Sequence, residues 1–332
     1  MENLSKDVWK EIQNNQNLPL FGSTIPFEGN GFHDAISWGI PFHPRKEIDD
    51  EFQLNNFHSI YLRDLGLLIN PSYNRNDKFK NGIKITNCSD YYYKTLLKYF
   101  TSGHFPQHED ILDKLGEWGT KLSYNGRLVF EIVGWYDNKS SQFYGYKLNQ
   151  LDIDYCKFNR KNIIYNAPFE LEKNREVFKK VKIPKSKCII IDFPKELGGY
   201  KGYLNKRLKI KKIGNKLKHF KNPGDSLTHM ENWDKKFNEI LSDWGASNKI
   251  KDVTEFYQAV SRLRFTYMAI LCTHEILKGF ENLIKYLNSK LQEDANLELN
   301  IKEYNKNYFK TKQEQWMRGE LSFKEVNELL RL

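Results

Sequence analysis

Asp192 closes the apolar run "KCIIID", and "ELEK", from Glu170 to Lys173, places a carboxylate and a lysine upstream of it. Acids and a lysine converging on a phosphate are what a metal-dependent nuclease needs. The chain order speaks against that use: the acid–lysine piece precedes the isolated aspartate and falls in a loop after Pro168. Asp192, just before Phe193 and Pro194, is better placed to cap or pair locally. The eight histidines show no metal spacing. His104 and His108 are four apart, but Pro106 between them argues for a loop rather than a shared helical face. Cys88, Cys156, Cys188 and Cys272 lie far apart with no CxxC pair, so they read as reduced, mostly buried thiols rather than a zinc site or a disulfide framework. GxxxxGK[ST], GxGxxG, HExxH and GxSxG motifs are absent from the sequence. The expectation is a protein with no catalytic residues, no metal and no cofactor. A basic nucleic-acid-binding enzyme, such as a metal-dependent nuclease or phage-defence effector, stands as the alternative.

The distribution of charge says more. The formal net charge is +10, and between Gly198 and Gly224 there are nine Lys or Arg and no acid; the rest of the chain holds 43 basic against 42 acidic residues. The segment "YLNKRLKIKKIGNKLKHFKNPGD" carries Lys206, Arg207, Lys209, Lys211, Lys212, Lys216 and Lys218. Leu204, Leu208, Ile213, Leu217 and Phe220 recur between them at about four-residue spacing, which predicts an amphipathic basic helix broken or bent near Gly214 and stopped at "NPGD". A shorter helix, "MENWDKKFNEILSDWG", then completes a helical hairpin around Pro223–Gly224, spanning Tyr203 to Trp244. Such a helix can lie on an anionic membrane, bind nucleic acid or simply face water. Its apolar face has no Trp, and no apolar run in the chain approaches the roughly 20 residues of a bilayer span, so no membrane is expected. Clustered cations repel one another, and phosphate contact without base reading relieves that repulsion.

The elements that would position these residues follow from periodicity. With 332 residues and 14% aromatics the chain can bury a sizeable core. Residues 1–60 are rich in Gly, Pro, Asn and His and read either as an extended arm lying on another surface or as an irregular part of the same core. The N-terminus has no apolar run behind basic residues, so an intracellular chain is expected. Residues 61–200 read as α+β. Ser89 is placed to cap "DYYYKTLLKYF", and a second helix over about 109–124 carries Ile111, Leu112, Leu115, Trp118 and Leu122. "RLVFEIVGWYD", "QFYGYKLNQLD", "KNIIYNAPF" and "KCIIIDFP" then form one small antiparallel sheet. After the hairpin (201–250), residues 251–332 begin with a helix of about nine turns. Its stripe runs through Val253, Phe256, Tyr257, Val260, Leu263, Tyr267, Ile270, Leu271, His274, Leu277, Leu283 and Ile284, one face buried along its length. Arg262 and Arg264 sit at its waist, in solvent with Glu partners or at a contact, and Gly279 interrupts it at some cost. Ser322 and Glu325 form a capping box for a last short helix.

The pieces "EFYQAVSRLRFTYMAILCTHEILKGF" and "NIKEYNKNYFKTKQEQWMRGELS", in that order, resemble the C-terminal half of portal proteins of tailed bacteriophages, in the contractile-tailed branch. There, a long helix has an Arg-Leu-Arg waist and a Leu-Lys-Gly turn, followed by a strand and an Asn-Tyr-Phe helix. "LDKLGEWGTKLSYNGRLVFEIVGWYDNKSSQFYGYKLNQLDIDY" resembles the portal wing, and "VKIPKSKCIIIDFP" the strand leaving it. The likeness covers about two-thirds of the chain. It implies a structural ring protein at a capsid vertex of the virion, a homo-oligomer (dodecameric in this family) assembled in the host cytoplasm. Its channel would pass double-stranded DNA without sequence preference, and its partners would be capsid, tail and packaging-motor proteins. The long helix would be the spine of the wing, with Arg262, Leu263 and Arg264 at a subunit contact and the basic hairpin a shortened stem lining the channel. Only about 55 residues separate the last wing-like strand from the long helix, leaving almost no room for a clip between the stem helices.

Overall fold

The structure is a computed structural model that describes residue 65 and residues 83–100, 108–136, 143–171, 175–217, 239–240, 242–245, 255–299, 305–322 and 324–326; within these, side chains are described except at 108–110, 167–171, 175–179 and 210–217. The fold is α+β, as the pattern predicts. The N-terminal arm, read from residues 1–60, lies outside the described residues.

Strand β1 (Ile83–Thr86) leads into helices α1 (Asp90–Phe100) and α2 (His108–Asn125). Ser89 caps α1, its Oγ accepting from the Tyr92 N–H at 3.1 Å. The apolar positions predicted for α2 are all buried. The long helix, here α4, covers Glu255–Leu291, two turns beyond the predicted end. At 37 residues it is about 55 Å long. Strand β8 (Asn296–Leu299) returns antiparallel to β1, pairing Leu299 with Ile83. Helix α5 (Lys306–Met317) follows, capped by Asn305, whose side chain accepts from the N–H groups of Asn307 and Tyr308.

The single sheet expected between 125 and 195 is in fact two. Strands β2 (Arg127–Tyr136), β3 (Phe143–Leu151) and β7 (Cys188–Asp192) form one, in the order β3-β2-β7. Strands β4 (Cys156–Phe158), β5 (Asn162–Leu171) and β6 (Arg175–Pro184) form the other, in sequence order. Alternation explains the layering. On β2, Leu128, Phe130 and Ile132 point to the helices, whereas Val129 packs with Leu151, Ile163, Tyr165, Val181 and Ile183 between the sheets. Sheet one is therefore covered by helices on one side and by sheet two on the other.

Helix α4 is buried on more than one face, which corrects the one-stripe reading. Phe265, Met268, Cys272, Ile276 and Phe280, none of them in the predicted stripe, face the main core. Leu263 and Ile270, which are in it, pack instead on Phe309 and Trp316 of α5 and on Val326. At the helix's start the stripe surfaces, with Phe256 and Tyr257 exposed. Gly279 is where β7 crosses the helix: a Cβ there would meet Ile191 Cγ1 at 2.6 Å and Cδ1 at 2.7 Å. Its cost in helix propensity is offset by this close packing. The capping box is present, Ser322 Oγ and N–H both reaching Glu325 Oε2 at 2.8 Å.

Candidate nucleic-acid interface

The basic segment begins where sheet one ends. After Asp192, the Phe193 N–H donates to the Gly126 carbonyl at 2.8 Å, and a short 3-10 turn over Lys195–Leu197 leads into helix α3 (Gly199–Leu217). The helix runs through Gly214 without the break expected there. A single central glycine in a helix costs only about 1 kcal/mol. Its first turns are fixed by Tyr203. The Tyr203 hydroxyl donates to the carbonyls of Ser123, at 2.9 Å, and Tyr124, and its ring lies over Gly126, where any Cβ would collide with it. Leu204 packs against the main core, but Leu208, the next position of the predicted apolar stripe, is 56% exposed. The buried anchor of α3 is thus Tyr203 with Leu204.

Arg127, at the start of β2, braces the same junction. Its Nε–H and Nη2–H donate to the two carboxylate oxygens of Asp192, and its guanidinium is stacked between Phe158, at 4.6 Å, and Tyr200, at 4.4 Å. Asp192 is thus paired, but across the sheet with a residue distant in sequence rather than locally as expected. Glu170 is on β5, opposite Glu176 in register, rather than in a loop. It stands seven residues along that strand from Ile163, the partner of Phe158, or about 23 Å at strand rise. Asp192 and Glu170 are therefore not brought together, and Lys173 and His104 lie outside the described residues. No group of His, Cys, Asp and Glu able to hold a metal occurs among the described residues. Burial pushes the Cys156 and Cys188 thiols up to about 12 and raises those of Cys88 and Cys272, so none is a ready nucleophile.

The far end of the segment returns to this point. Trp244 is buried against Phe193 at 4.9 Å and stacks on Tyr203 at 6.2 Å between ring centroids. Lys206 is held there too: its ammonium lies 4.8 Å from the Trp244 ring centre, donates to the Ile240 carbonyl at 2.7 Å and pairs with Asp243. With its side chain 16% exposed, Lys206 is a clamp for the returning chain, which replaces the channel role expected of it. Arg207 is half-buried. Burial raises the Tyr200 hydroxyl above its ordinary value, and Arg127 and Arg207 pull against that rise. Lys209 is exposed, Lys211, Lys212 and Lys216 continue α3, and Lys218 lies outside the described residues.

The waist of α4 receives the returning chain. Arg264 Nη1–H donates to the Ser242 carbonyl at 3.0 Å. Gly245, at φ +80°, lies so close to the helix that a Cβ would come within 2.0 Å of the Ser261 carbonyl oxygen. Leu263 is 1% exposed and buried against its own chain, so the subunit contact expected of it is an intrachain one. Arg262 is half-buried, and its Nε has no hydrogen-bond partner among the described residues. Sequence reasoning overlooked Arg127, Trp244 and Gly245; the signal available was "DWG", an aromatic–glycine pair closing a polar hairpin.

No helix among the described residues is long and apolar enough to cross a membrane. The chain matches no family model, and no curated protein matches it.

Proposed function

We propose that the chain is a subunit of a portal-like ring, a structural protein of a phage capsid vertex through whose channel double-stranded DNA passes. The observation that carries this reading is the geometry of the basic segment. Its two ends meet in the main core, the Tyr203 and Trp244 rings 6.2 Å apart, and the sequence between these two anchors, about 40 residues, is rich in lysine. A stem that repeats in every subunit and lines a channel has this form. The order of elements also fits the resemblance: two helices, strands in two small sheets, the basic helix α3, then the long α4, a strand and the Asn-Tyr-Phe helix α5. Phe256, stacked on Trp316 at 5.7 Å, leaves with Tyr257 and Met317 an exposed apolar end to α4 and α5 suited to a neighbouring subunit. The reading assigns the chain no reaction.

Light scattering on the purified full-length chain, with negative-stain imaging, tests it. The expected result is a mass many times 39.5 kDa and rings seen end-on. A monomer or dimer at micromolar concentration, in low and physiological salt, would overturn it.

A further inference from the structure

The sequence concentrates excess charge in one segment, but folding assembles a second cationic surface from stretches that look unremarkable apart. Neither 157–167 nor 179–191 contains an acid, and β4, β5 and β6 bring them side by side. Register puts Lys157 and Lys182 on either side of Ile164, and Lys180 follows two residues from Lys182 on the same face. All three lysines are exposed, as are Arg160 and Lys161 in the β4–β5 turn and Lys187 beyond β6. The opposite face of the sheet carries Phe158, Ile163, Tyr165, Val181 and Ile183 and is taken up by the inter-sheet core. Glu131, which acts electrostatically on Lys187, is buried, and burial lifts it to about 8, so it is mostly neutral at pH 7 and does not cancel the surface charge.

We infer that this outer face of the second sheet is a docking surface for the phosphate backbone of duplex nucleic acid, separate from the basic helix. The cations form a grid of about 7 Å along the strand and about 10 Å across it. A duplex carries one charge per roughly 1.7 Å of axis, so several phosphates fall within such a patch. Single strands are held by stacking on aromatic side chains, and here the aromatics Phe158 and Tyr165 point inward. Protein interfaces are depleted of lysine, whereas Lys157, Lys180 and Lys182 cluster on this face. An anionic bilayer would want large apolar groups to insert, and the residue standing between these lysines, Ile164, is half-buried.

The experiment is a salt titration of the full-length chain against a mixed-sequence duplex DNA of about 20 base pairs. The variant is Lys157→Gln, Lys180→Gln, Lys182→Gln. These side chains are exposed, so folding is preserved, and an unchanged melting curve checks it. The slope of log K on log salt should shrink by about 2.7, close to 0.9 for each phosphate that is no longer neutralised. Lysines that only guard the edge strand β6 from pairing would alter aggregation and leave the slope intact, which would overturn the inference. So would tighter binding of polyglutamate or of phosphatidylserine vesicles than of duplex. The surface does not depend on the ring: a chain that stays monomeric yet loses this slope on substitution would sink the portal reading and keep the docking surface.

Discussion

Single side chains do two kinds of work at the junction between the sheets. Arg127 satisfies Asp192 and fills the space between Phe158 and Tyr200, so one guanidinium ties β2, β4, β7 and the start of α3 together. The sequence permits half of this inference: an aspartate before Phe-Pro is suited to a local pair, but nothing in the order of residues points to Arg127 as its partner, because antiparallel register alone sets Arg127 against Asp192. Glu131 is the opposite case, a carboxyl in the middle of "RLVFEIVGWYD" that periodicity treats as one polar position in a strand. It is buried, opposite Asn149 in register, and burial lifts it from 4.5 to about 8. A carboxyl whose folded value lies above its unfolded one binds its proton more tightly in the native state. Its contribution is complete below about 4.5 and is lost as pH rises through about 8. Thermal melts of Glu131→Gln should therefore show less loss of stability between pH 5 and pH 8.5 than the parent, with a gain at the upper end on the order of 2 kcal/mol. Parallel pH profiles for the two proteins would show that Glu131 is not the titrating group.

Elements are legible where periodicity and burial coincide. Helices α1 and α2, the hairpin of β2 and β3, and the caps at Ser89 and Ser322 all follow from local chemistry. Strand β6 escapes the pattern, although Lys180, Val181, Lys182 and Ile183 alternate, because its partner β5 supplies the reason to be extended. Helix α4 fails differently: a helix wrapped by a core on one side and by α5 on the other has apolar residues nearly all round, and choosing one stripe discards the other. Gly279 shows the same limit. Local propensity counts it as a defect worth about 1 kcal/mol, while packing makes it the point at which β7 can cross. Gly279→Ala in an ordinary exposed helix position would stabilise; here a methyl 2.6 Å from Ile191 Cγ1 should destabilise by about 1–3 kcal/mol. Chemical denaturation measures it, and pairing the change with Ile191→Ala should recover part of the loss, since the two side chains compete for one space. A Gly279→Ala protein as stable as the parent would mean that the strand does not press on the helix.

At the scale of the whole molecule, the divisions drawn at 200 and 250 cut through one core. Phe193, Tyr203, Trp244 and Phe265 belong to the same apolar cluster as Trp118 and Ile189. The stretch between Tyr203 and Trp244 differs in composition: the lysines along α3 have no acids among them to pair with, while its two ends, Tyr203 and Trp244, are buried in that core. Lys206 has found Asp243 and Trp244 at the base, which leaves the cations beyond it to account for any traffic with DNA. In a ring these charges recur in every subunit around one passage, and a duplex must move through without sticking. Binding there should be weak, indifferent to sequence and steeply lost with salt. Changing Lys209, Lys211, Lys212 and Lys216 together to Gln should reduce the slope of log K on log salt by up to about 3.6 while light scattering reports the same oligomer as the parent. The base of the segment, built from Tyr203, Trp244 and Lys206, is untouched by these four substitutions. A quadruple variant with an unaltered slope would place the α3 lysines away from DNA, and loss of the oligomer would make them assembly residues instead.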